Sequence, residues 1–310
     1  MAGPGIYPLM PFAIPKPWGG GHLDALAQHA GENHIGEYVI FSDLWQFPVR
    51  VRANGEEILL SEFWKRQGLA PGELPFMLKI LSTAEPISLQ NHPSDDDVKT
   101  LGLEGNGKFE CWSILEADEY ARAYLGLKEG EDVSVLKNIA TDTNPLSHFN
   151  EYFPRSGDII KLEPGLIHST TGRLLFYEIQ QKSDHTFRLY DFGRGRALHI
   201  KEAMACVRQQ KPDISLFSAG LKTDKFSVTY HNLQDNLKIS RQGNTFSVLT
   251  WFGTAAEITC RGETFQLGWG DSVLVLTSAK FEVQKRRGNP PESSPLARLP
   301  MIDMLFEAYV

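Results

Sequence analysis

Short apolar runs, each closed by glycine or proline, recur along the 310-residue chain and limit what it can fold into. The chain contains 27 glycines and 18 prolines, and they punctuate the apolar runs too often for long helices. The pattern therefore predicts a mainly β, largely antiparallel fold. The candidate strands of the first two thirds are residues 38–41, 76–81, 86–91, 109–116, 121–126, 158–162, 174–181 and 186–191.

Helical signals are fewer than strand signals. Residues 60–67 show the spacing of a short amphipathic helix, and residues 197–210 show it less regularly. Residues 94–101 begin with Ser94, a good N-cap, and continue with three aspartates that suit the first turn of a helix. We expect these few short helices to lie between strands.

A second β unit is predicted after residue 225. Residues 212–225 are the predicted linker between a metal-binding domain at 1–211 and a C-terminal domain at 226–310. Gly270-Asp271 and the apolar run after it echo Gly157-Asp158, which indicates duplication of one jelly-roll unit. No histidine motif follows the echo, so the second copy is predicted to bind no metal. Its candidate strands are 226–232, 237–240, 246–252, 256–261, 263–267, 272–276 and 281–285.

Three short motifs together predict a metal site in the first unit. Gln90 and His92 share one face of a predicted strand, Glu110 is the second residue of another, and His168 follows the turn Pro164-Gly165. Taken singly, each motif has a simpler interpretation as a turn or half of a structural ion pair. Their coincidence favours a divalent ion such as zinc, because two imidazoles, a carboxylate and an amide oxygen suit it.

Composition restricts the partners and the compartment. The net charge of -7 argues against a general nucleic-acid binder, so an anionic substrate would need a local basic cluster. The cluster available is Lys108, Arg188, Arg194 and Arg196. Three cysteines, odd in number and far apart, favour a reducing compartment, and no apolar run approaches the roughly 20 residues that span a bilayer. No secretory signal is visible, so a cytoplasmic protein without membrane contact is predicted.

The order of motifs resembles that of type I mannose-6-phosphate isomerases in their shorter bacterial form, a family of the cupin superfamily. The resemblance covers about residues 8 to 205. It is carried by Pro17-Trp18-Gly19-Gly20, the run 74–80, Ser88 to Pro93, Gly107 to Trp112, Pro164 to His168, Glu178 to Gln181 and Arg188 to Asp191. It implies two cupin-type jelly-roll β-barrel domains with a few short helices, the second a degenerate copy without a metal site.

The resemblance also implies roles for individual residues. Gln90, His92, Glu110 and His168 occupy the positions of the family's zinc ligands, for one Zn²⁺ per chain. Arg188, Lys108 and Glu178 occupy catalytic positions, and Ser88 and Arg194 occupy positions implicated in binding the substrate phosphate. Three departures from the family pattern, Ser169-Thr170, Lys182 and His185, leave every ligand in place but bear on substrate preference.

The implied function is zinc-dependent interconversion of mannose 6-phosphate and fructose 6-phosphate through an enediol, by a monomer or homodimer. Arg188 can stabilise the developing oxyanion, whereas the sequence leaves open whether Lys108 or Glu178 moves the proton. The alternatives are an isomerase of another sugar phosphate, a cupin-type metal-dependent oxygenase and a non-catalytic sugar-binding protein. The basic cluster and Gln90 favour the isomerase over the oxygenase, and the presence of Lys108, Glu178 and Arg188 argues against a non-catalytic protein. The sequence does not separate mannose 6-phosphate from other aldose phosphates.

Overall fold

The computed structural model describes residues 5–24, 34–68, 74–234, 236–240, 246–276, 280–286 and 302–310, and the fold is mainly β as predicted. The α-helices of the described residues are short: α1 is Leu60–Arg66, α2 is Asp95–Thr100 and α3 is Ile200–Cys206. 3₁₀ segments occupy Gly21–Leu23, Val133–Thr141, Pro145–His148 and Phe217–Ala219.

The strands form four sheets. A seven-stranded sheet contains, in spatial order, β15 (Asp213–Leu216), β11 (Asp158–Leu162), β8 (Glu110–Ala117), β13 (Leu174–Gln181), β6 (Phe76–Thr83), β3 (Ile35–Phe41) and β2 (Phe12–Pro15). A five-stranded sheet contains, in spatial order, β10 (Phe149–Tyr152), β9 (Arg122–Leu127), β12 (His168–Thr171), β7 (Leu89–Asn91) and β14 (Phe187–Tyr190). These two sheets make the first sandwich.

The other two sheets make the second sandwich. An eight-stranded sheet contains, in spatial order, β16 (Leu221–Lys222), β17 (Ser227–Asn232), β24 (Met304–Tyr309), β19 (Phe246–Phe252), β22 (Ser272–Leu276), β1 (Ile6–Met10), β4 (Arg50–Ala53) and β5 (Glu56–Leu59). A four-stranded sheet contains, in the same sense, β18 (Asn236–Ser240), β23 (Lys280–Lys285), β20 (Ala256–Cys260) and β21 (Glu263–Leu267).

The two sandwiches repeat one jelly-roll topology. Strands β6 to β13 form the orders β6-β13-β8-β11 and β7-β12-β9-β10. Strands β17 to β24 form β17-β24-β19-β22 and β18-β23-β20-β21, which is the same arrangement eleven strands later. The echoed motifs take equivalent places, and the carboxylates of Asp158 and Asp271 each accept a 2.7 Å hydrogen bond from the backbone N–H three residues earlier. The structure thus agrees with the predicted duplication.

Aromatic side chains join the sandwiches through the outer faces of their large sheets. Tyr177 of β13 meets Phe252 of β19 and Phe306 of β24 edge to face, with ring centroids 5.8 and 5.4 Å apart. A separate core inside the second sandwich includes Leu249 and Val283, both fully buried. The interior of the second sandwich is therefore filled by apolar side chains at its centre.

The domain boundaries at residues 211 and 226 stay a prediction, and strand pairing adds two details. Strand β1 lies at the N-terminus but pairs with β22 of the second unit. The predicted linker contains β15, a 3₁₀ turn and β16, so residues 213–222 are largely paired with neighbouring strands.

Two of the predicted helices match the structure within a residue or two, and the third is shorter. Helix α3 ends at Cys206, because Val207 turns to extended backbone and the Arg208 amide donates to the carbonyl of Gly165. The Arg208 guanidinium then reaches Asp97 of α2, at 2.8 and 3.0 Å. These contacts replace the last turn that the apolar spacing had predicted.

Candidate metal centre and surrounding cavity

Three predicted ligands meet inside the first sandwich. His92 follows β7, Glu110 opens β8 and His168 opens β12, so the two facing sheets contribute to one point. All three side chains are about 1% exposed. Glu110 Oε1 lies 3.5 Å from His92 Nε2 and 3.3 Å from His168 Nε2. Among the described residues these three form the one group of His, Cys, Asp or Glu close enough to hold a metal ion.

Hydrogen bonds prepare both imidazoles for a metal. Nδ1 of His92 donates to the carbonyl of His185 at 2.7 Å, and Nδ1 of His168 donates to the carbonyl of Leu166 at 3.0 Å. Because a carbonyl only accepts, the neutral form of each ring carries its proton on Nδ1 and its lone pair on Nε2, which is the tautomer that a ligating histidine needs. Burial and the neighbouring Lys108 lower the pKa of His92 to about 3, so that ring is neutral.

The spacing of these atoms suits a small tetrahedral ion. Bonds of about 2.1 Å in a tetrahedron place neighbouring ligand atoms about 3.4 Å apart. The separations of 3.3 and 3.5 Å from Glu110 Oε1 agree with that edge length. The residues therefore fit a divalent metal ion.

Gln90 lies beside this centre with its amide nitrogen turned inwards. Its Nε2 is 3.4 Å from His168 Nε2, while its Oε1 accepts a 2.7 Å hydrogen bond from Ser88. To serve as a ligand, the amide would rotate and release Ser88. Ligation by Gln90 stays a prediction.

Lys108 is packed against the centre. Its Nζ lies 2.7 Å from Glu110 Oε2 and 3.4 Å from His92 Nε2, and its side chain is 9% exposed. The ammonium therefore lies beside the Glu110 carboxylate, and Lys108 lines the same cavity as Glu110.

Glu178 and three neighbours form a row of alternating charges that begins in the cavity. Lys79 Nζ lies 3.7 Å from Glu178 and 3.6 Å from Glu37, which in turn lies 3.3 Å from Lys16. Burial and the charge of Glu110 raise the pKa of Glu178. Burial alone would raise the pKa of Glu37, but Lys79 and Lys16 lower it.

Trp112 fixes the carboxylate of Glu178 from the adjacent strand. Its indole N–H donates to Glu178 Oε2 at 3.1 Å, and its ring meets the His168 ring edge to face at 5.6 Å. Register explains both contacts, because Glu178 pairs with Trp112 on one side and with Lys79 on the other.

The three arginines of the predicted basic cluster have different surroundings. Arg188 on β14 lines the cavity, and its buried Nε has no hydrogen-bond partner among the residues that the structure describes. Arg196 also lines the cavity and binds Asp191 through two hydrogen bonds of 2.5 and 2.8 Å. Arg194, predicted to bind phosphate, instead donates to the carbonyls of Asp191 and Pro86, at 2.9 and 2.7 Å.

One cavity contains most of the predicted residues. Its lining includes Ser88, Gln90, Lys108, Glu110, Glu178 and Arg188, together with Lys16, Glu37, Lys79, Trp112, Asp184 and Arg196. The roles of the predicted residues stay predictions, although the structure brings them together. Arg196 lines this cavity and Arg194 is not among its lining residues, and phosphate binding by Arg194 stays a prediction.

Sequence patterns did not identify Lys79, Glu37 and Lys16 as site residues. A signal for Lys79 was present, since a lysine interrupts the apolar run 76–81 and a buried lysine needs a partner. Glu37 is a similar charge between buried residues of β3. No local signal identified their partners, because strand pairing brings them from distant parts of the chain.

The sequence of the chain is similar to that of known proteins. No protein-family model matches the chain. The chain is 29% identical over 224 residues to mannose-6-phosphate isomerase of Streptococcus mutans, across 66% of this chain and 69% of that protein.

The fold is also similar to solved structures. Mannose 6-phosphate isomerase of Bacillus subtilis superposes with a TM-score of 0.81 at 19% identity, covering 98% of this chain and 99% of that one. A zinc-bound mannose 6-phosphate isomerase superposes with a TM-score of 0.71 at 15% identity, again over 98% and 99% of the two chains.

Proposed function

Because the chain belongs to the mannose-6-phosphate isomerase family, a family of isomerase enzymes, we propose that it interconverts mannose 6-phosphate and fructose 6-phosphate. One observation carries the proposal. Glu110, whose carboxylate contacts His92 and His168 of the candidate metal centre, lines the same cavity as Lys108, Glu178 and Arg188, groups that proton transfer can use.

Zinc is the proposed metal, at one ion per chain. His92, Glu110 and His168 would hold it, with Gln90 as a fourth ligand once its amide has rotated. A bound zinc ion supplies positive charge that polarises an oxygen of the sugar. The fit of the three buried ligand atoms to a tetrahedral edge supports this assignment.

The reaction moves a proton between neighbouring carbons. A base removes the proton on C2 of open-chain mannose 6-phosphate, the C1 carbonyl oxygen gains a proton, and an enediol forms. Loss of the O2 proton and return of a proton to C1 then give the C2 ketone of fructose 6-phosphate. Glu178, whose pKa burial raises, and Lys108 are the two candidates for the base.

Arginines suit the negative charges of the substrate. Arg188 can donate to the oxyanion that develops between C1 and C2, an interaction typically contributing roughly 3 kcal/mol to catalysis. Arg196 and Ser88 line the cavity and are proposed to bind the phosphate. In this assignment Arg194 supports the phosphate site by holding Asp191 rather than by touching the substrate.

The test is an assay of fructose 6-phosphate formation from mannose 6-phosphate. We expect activity in the purified protein, loss after chelation and recovery when Zn²⁺ is restored. Zinc binding without fructose 6-phosphate would reject this substrate. Screening other sugar phosphates, oxygen uptake and sugar binding would then separate the three alternatives.

The base can be identified with two variants. Glu178→Gln and Lys108→Met are each expected to lower kcat by at least about 100-fold, which is typical of general acid–base groups. In D₂O, the variant that lacks the base should also lose exchange of the C2 hydrogen with solvent. Lys161→Met is a matched control, because Lys161 pairs with Asp213 on the outer edge of the first sandwich.

Two further proposals concern the cellular location of the protein and its oligomeric state. No helix among the described residues is long and apolar enough to cross a membrane. We propose a cytoplasmic enzyme, consistent with three buried cysteines on β8, α3 and β20. Whether it is a monomer or a homodimer stays a prediction.

A further inference from the structure

We infer that Lys225 and Phe226, at the start of the second jelly roll, are positioning residues for the Lys108 segment, Lys225 through Asp95 and Phe226 through Phe109. The inference rests on the proposed function, because Lys108 and Glu110 are the residues that would be positioned. It gives the second unit, which carries no metal centre among its described residues, a part in the chemistry of the first.

Asp95 joins three parts of the chain. Its carboxylate accepts hydrogen bonds from the backbone N–H of Gly107 at 2.8 Å and from Gln181 Nε2 at 3.2 and 3.4 Å. It also accepts from Lys225 Nζ at 3.1 Å. Asp95 opens α2, three residues after His92, so it lies close in sequence to one proposed ligand.

The same network holds the backbone on both sides of Lys108. Gln181 Oε1 accepts from the Phe109 N–H at 3.0 Å, and the Gln181 N–H donates to the Phe109 carbonyl at 2.9 Å. The Lys108 N–H donates to the Pro93 carbonyl at 2.8 Å. Asp95 and Gln181 therefore fix the path of Gly107, Lys108 and Phe109 just before Glu110 begins β8.

Phe226 packs against this segment of the backbone through the ring of Phe109. Its ring stacks on Phe109 with centroids 5.4 Å apart and planes inclined by 23°, and both rings are buried. A tight turn prepares Phe226 and Lys225, because Thr223 Oγ1 accepts from their backbone N–H groups at 3.0 and 3.2 Å. The second unit thus presents a cation and an aromatic ring together.

The arrangement is expected to act on geometry more than on stability. The side chains of Lys225 and Asp95 are 34% and 38% exposed, and ion pairs so exposed contribute little to the free energy of unfolding. Catalytic groups, however, tolerate displacements of only about 0.5 Å. Loss of the contact between Lys225 and Asp95 should therefore lower activity and zinc affinity more than it lowers the melting temperature.

The experiment compares Lys225→Ala, Asp95→Asn and the control Lys238→Ala in the full chain. Lys238 forms an exposed ion pair with Glu282 in the outer sheet of the second sandwich, 3.7 Å apart. Three quantities are measured: kcat and KM for mannose 6-phosphate, the Kd for Zn²⁺ of chelated protein by calorimetry, and the melting temperature. Lys225→Arg tests rescue.

We expect Asp95→Asn to lower kcat about tenfold and to raise the Kd for Zn²⁺ about tenfold, the usual cost of losing a supporting contact. Lys225→Ala should change both about threefold in the same directions, with KM within twofold, because it removes one of three partners of Asp95. Lys225→Arg should restore both values, and Lys238→Ala should leave them unchanged.

The inference is overturned if Lys225→Ala and Asp95→Asn keep kcat and the Kd for Zn²⁺ within twofold of the starting protein. It is also overturned if Lys238→Ala causes the same losses. A third contradicting result is that a smaller fraction of folded protein fully explains the losses. If the proposed function is wrong, the wild-type protein will lack isomerase activity. The Kd for Zn²⁺ of Asp95→Asn, compared with that of the wild-type protein, would still test the positioning role of Asp95, so the two failures are distinguishable.

Discussion

At the scale of single residues, Asp191 organises the basic side of the cavity. Its carboxylate binds Arg196 through two hydrogen bonds and lies 3.0 Å from Arg194 Nη2. Burial alone would raise the pKa of Asp191, but the hydrogen bonds of Arg196 and the charges of the arginines lower it. Asp191 therefore holds two guanidinium groups in place while remaining ionised at neutral pH.

We predict that Asp191→Asn destabilises the protein at neutral pH by roughly 2 kcal/mol, between the values for surface and fully buried pairs. A lowered pKa means that the carboxylate stabilises the fold above its ordinary pKa and ceases to do so as pH falls through the lowered value. The difference between the two proteins should therefore shrink below about pH 4. Urea unfolding across this range measures it.

Asp213→Asn is the control for Asp191→Asn, because the Asp213 carboxylate is half-exposed in its pair with Lys161. It should cost under about 0.5 kcal/mol. A loss in Asp191→Asn that stays constant with pH would contradict the electrostatic explanation.

Residue patterns identified the three side chains that meet at the candidate metal centre, but not the residues around them. His92, Glu110 and His168 each stand at the end or start of a strand, where a local pattern of alternation and turns is informative. Arg194 and Arg196 lie in one turn, where small changes in backbone direction decide which guanidinium faces the cavity. The spacing of residues in the sequence does not predict which of the two guanidinium groups faces the cavity.

At the scale of elements, the segment that leads into Glu110 touches the segment that follows His92. At Gly107 no side chain lies between the two backbones. A Cβ on Gly107 would lie 2.5 Å from the Asp95 nitrogen and from the Ser94 carbonyl carbon, and 2.8 Å from the Pro93 oxygen. These are backbone atoms at the start of α2, where the Ser94 and Asp97 side chains form a capping box. Close approach, not left-handed backbone, is what requires glycine here.

We predict that Gly107→Ala lowers stability by about 2 kcal/mol and weakens zinc binding, because the Lys108 segment must move away from α2. Gly268→Ala is the control, since a Cβ there comes no closer than 3.4 Å to Asp271 Oδ2. Chemical denaturation and zinc calorimetry measure both effects. Equal behaviour of the two variants would show that the contact at Gly107 can relax.

Element types followed from the sequence more readily than element boundaries and contacts. The predicted strands and short helices recur in the structure because Gly and Pro end them locally. The placement of β1 beside β22 was not predictable, because pairing across more than 250 residues leaves no local pattern.

At the scale of the whole molecule, the duplication allows the two sandwiches to be compared position by position. Aligning Asp158 with Asp271 through their strand pairings places Ser247 at the position of Glu110. The last strands then align Glu307 with Glu178. The second copy thus keeps a buried carboxylate, paired with His231 at 3.0 Å, but has a hydroxyl at the position of Glu110, a proposed ligand in the first copy.

This comparison predicts that chelated protein binds one Zn²⁺ per chain, measured by calorimetry together with elemental analysis. A serine hydroxyl is a poor zinc ligand beside carboxylate and imidazole, so the second sandwich lacks the central donor of the first.

Replacing both His92 and His168 by alanine should abolish binding, because Glu110 and Gln90 alone leave an open, oxygen-only site. Replacing His231 by alanine should leave the stoichiometry at one, since that histidine pairs with Glu307 in the copy without the ligand set. A second equivalent of zinc, or binding that survives in the double variant, would mean that the copies have diverged less than their aligned positions indicate. One equivalent lost only with the first pair would locate the metal chemistry in one jelly roll and leave the other to support it.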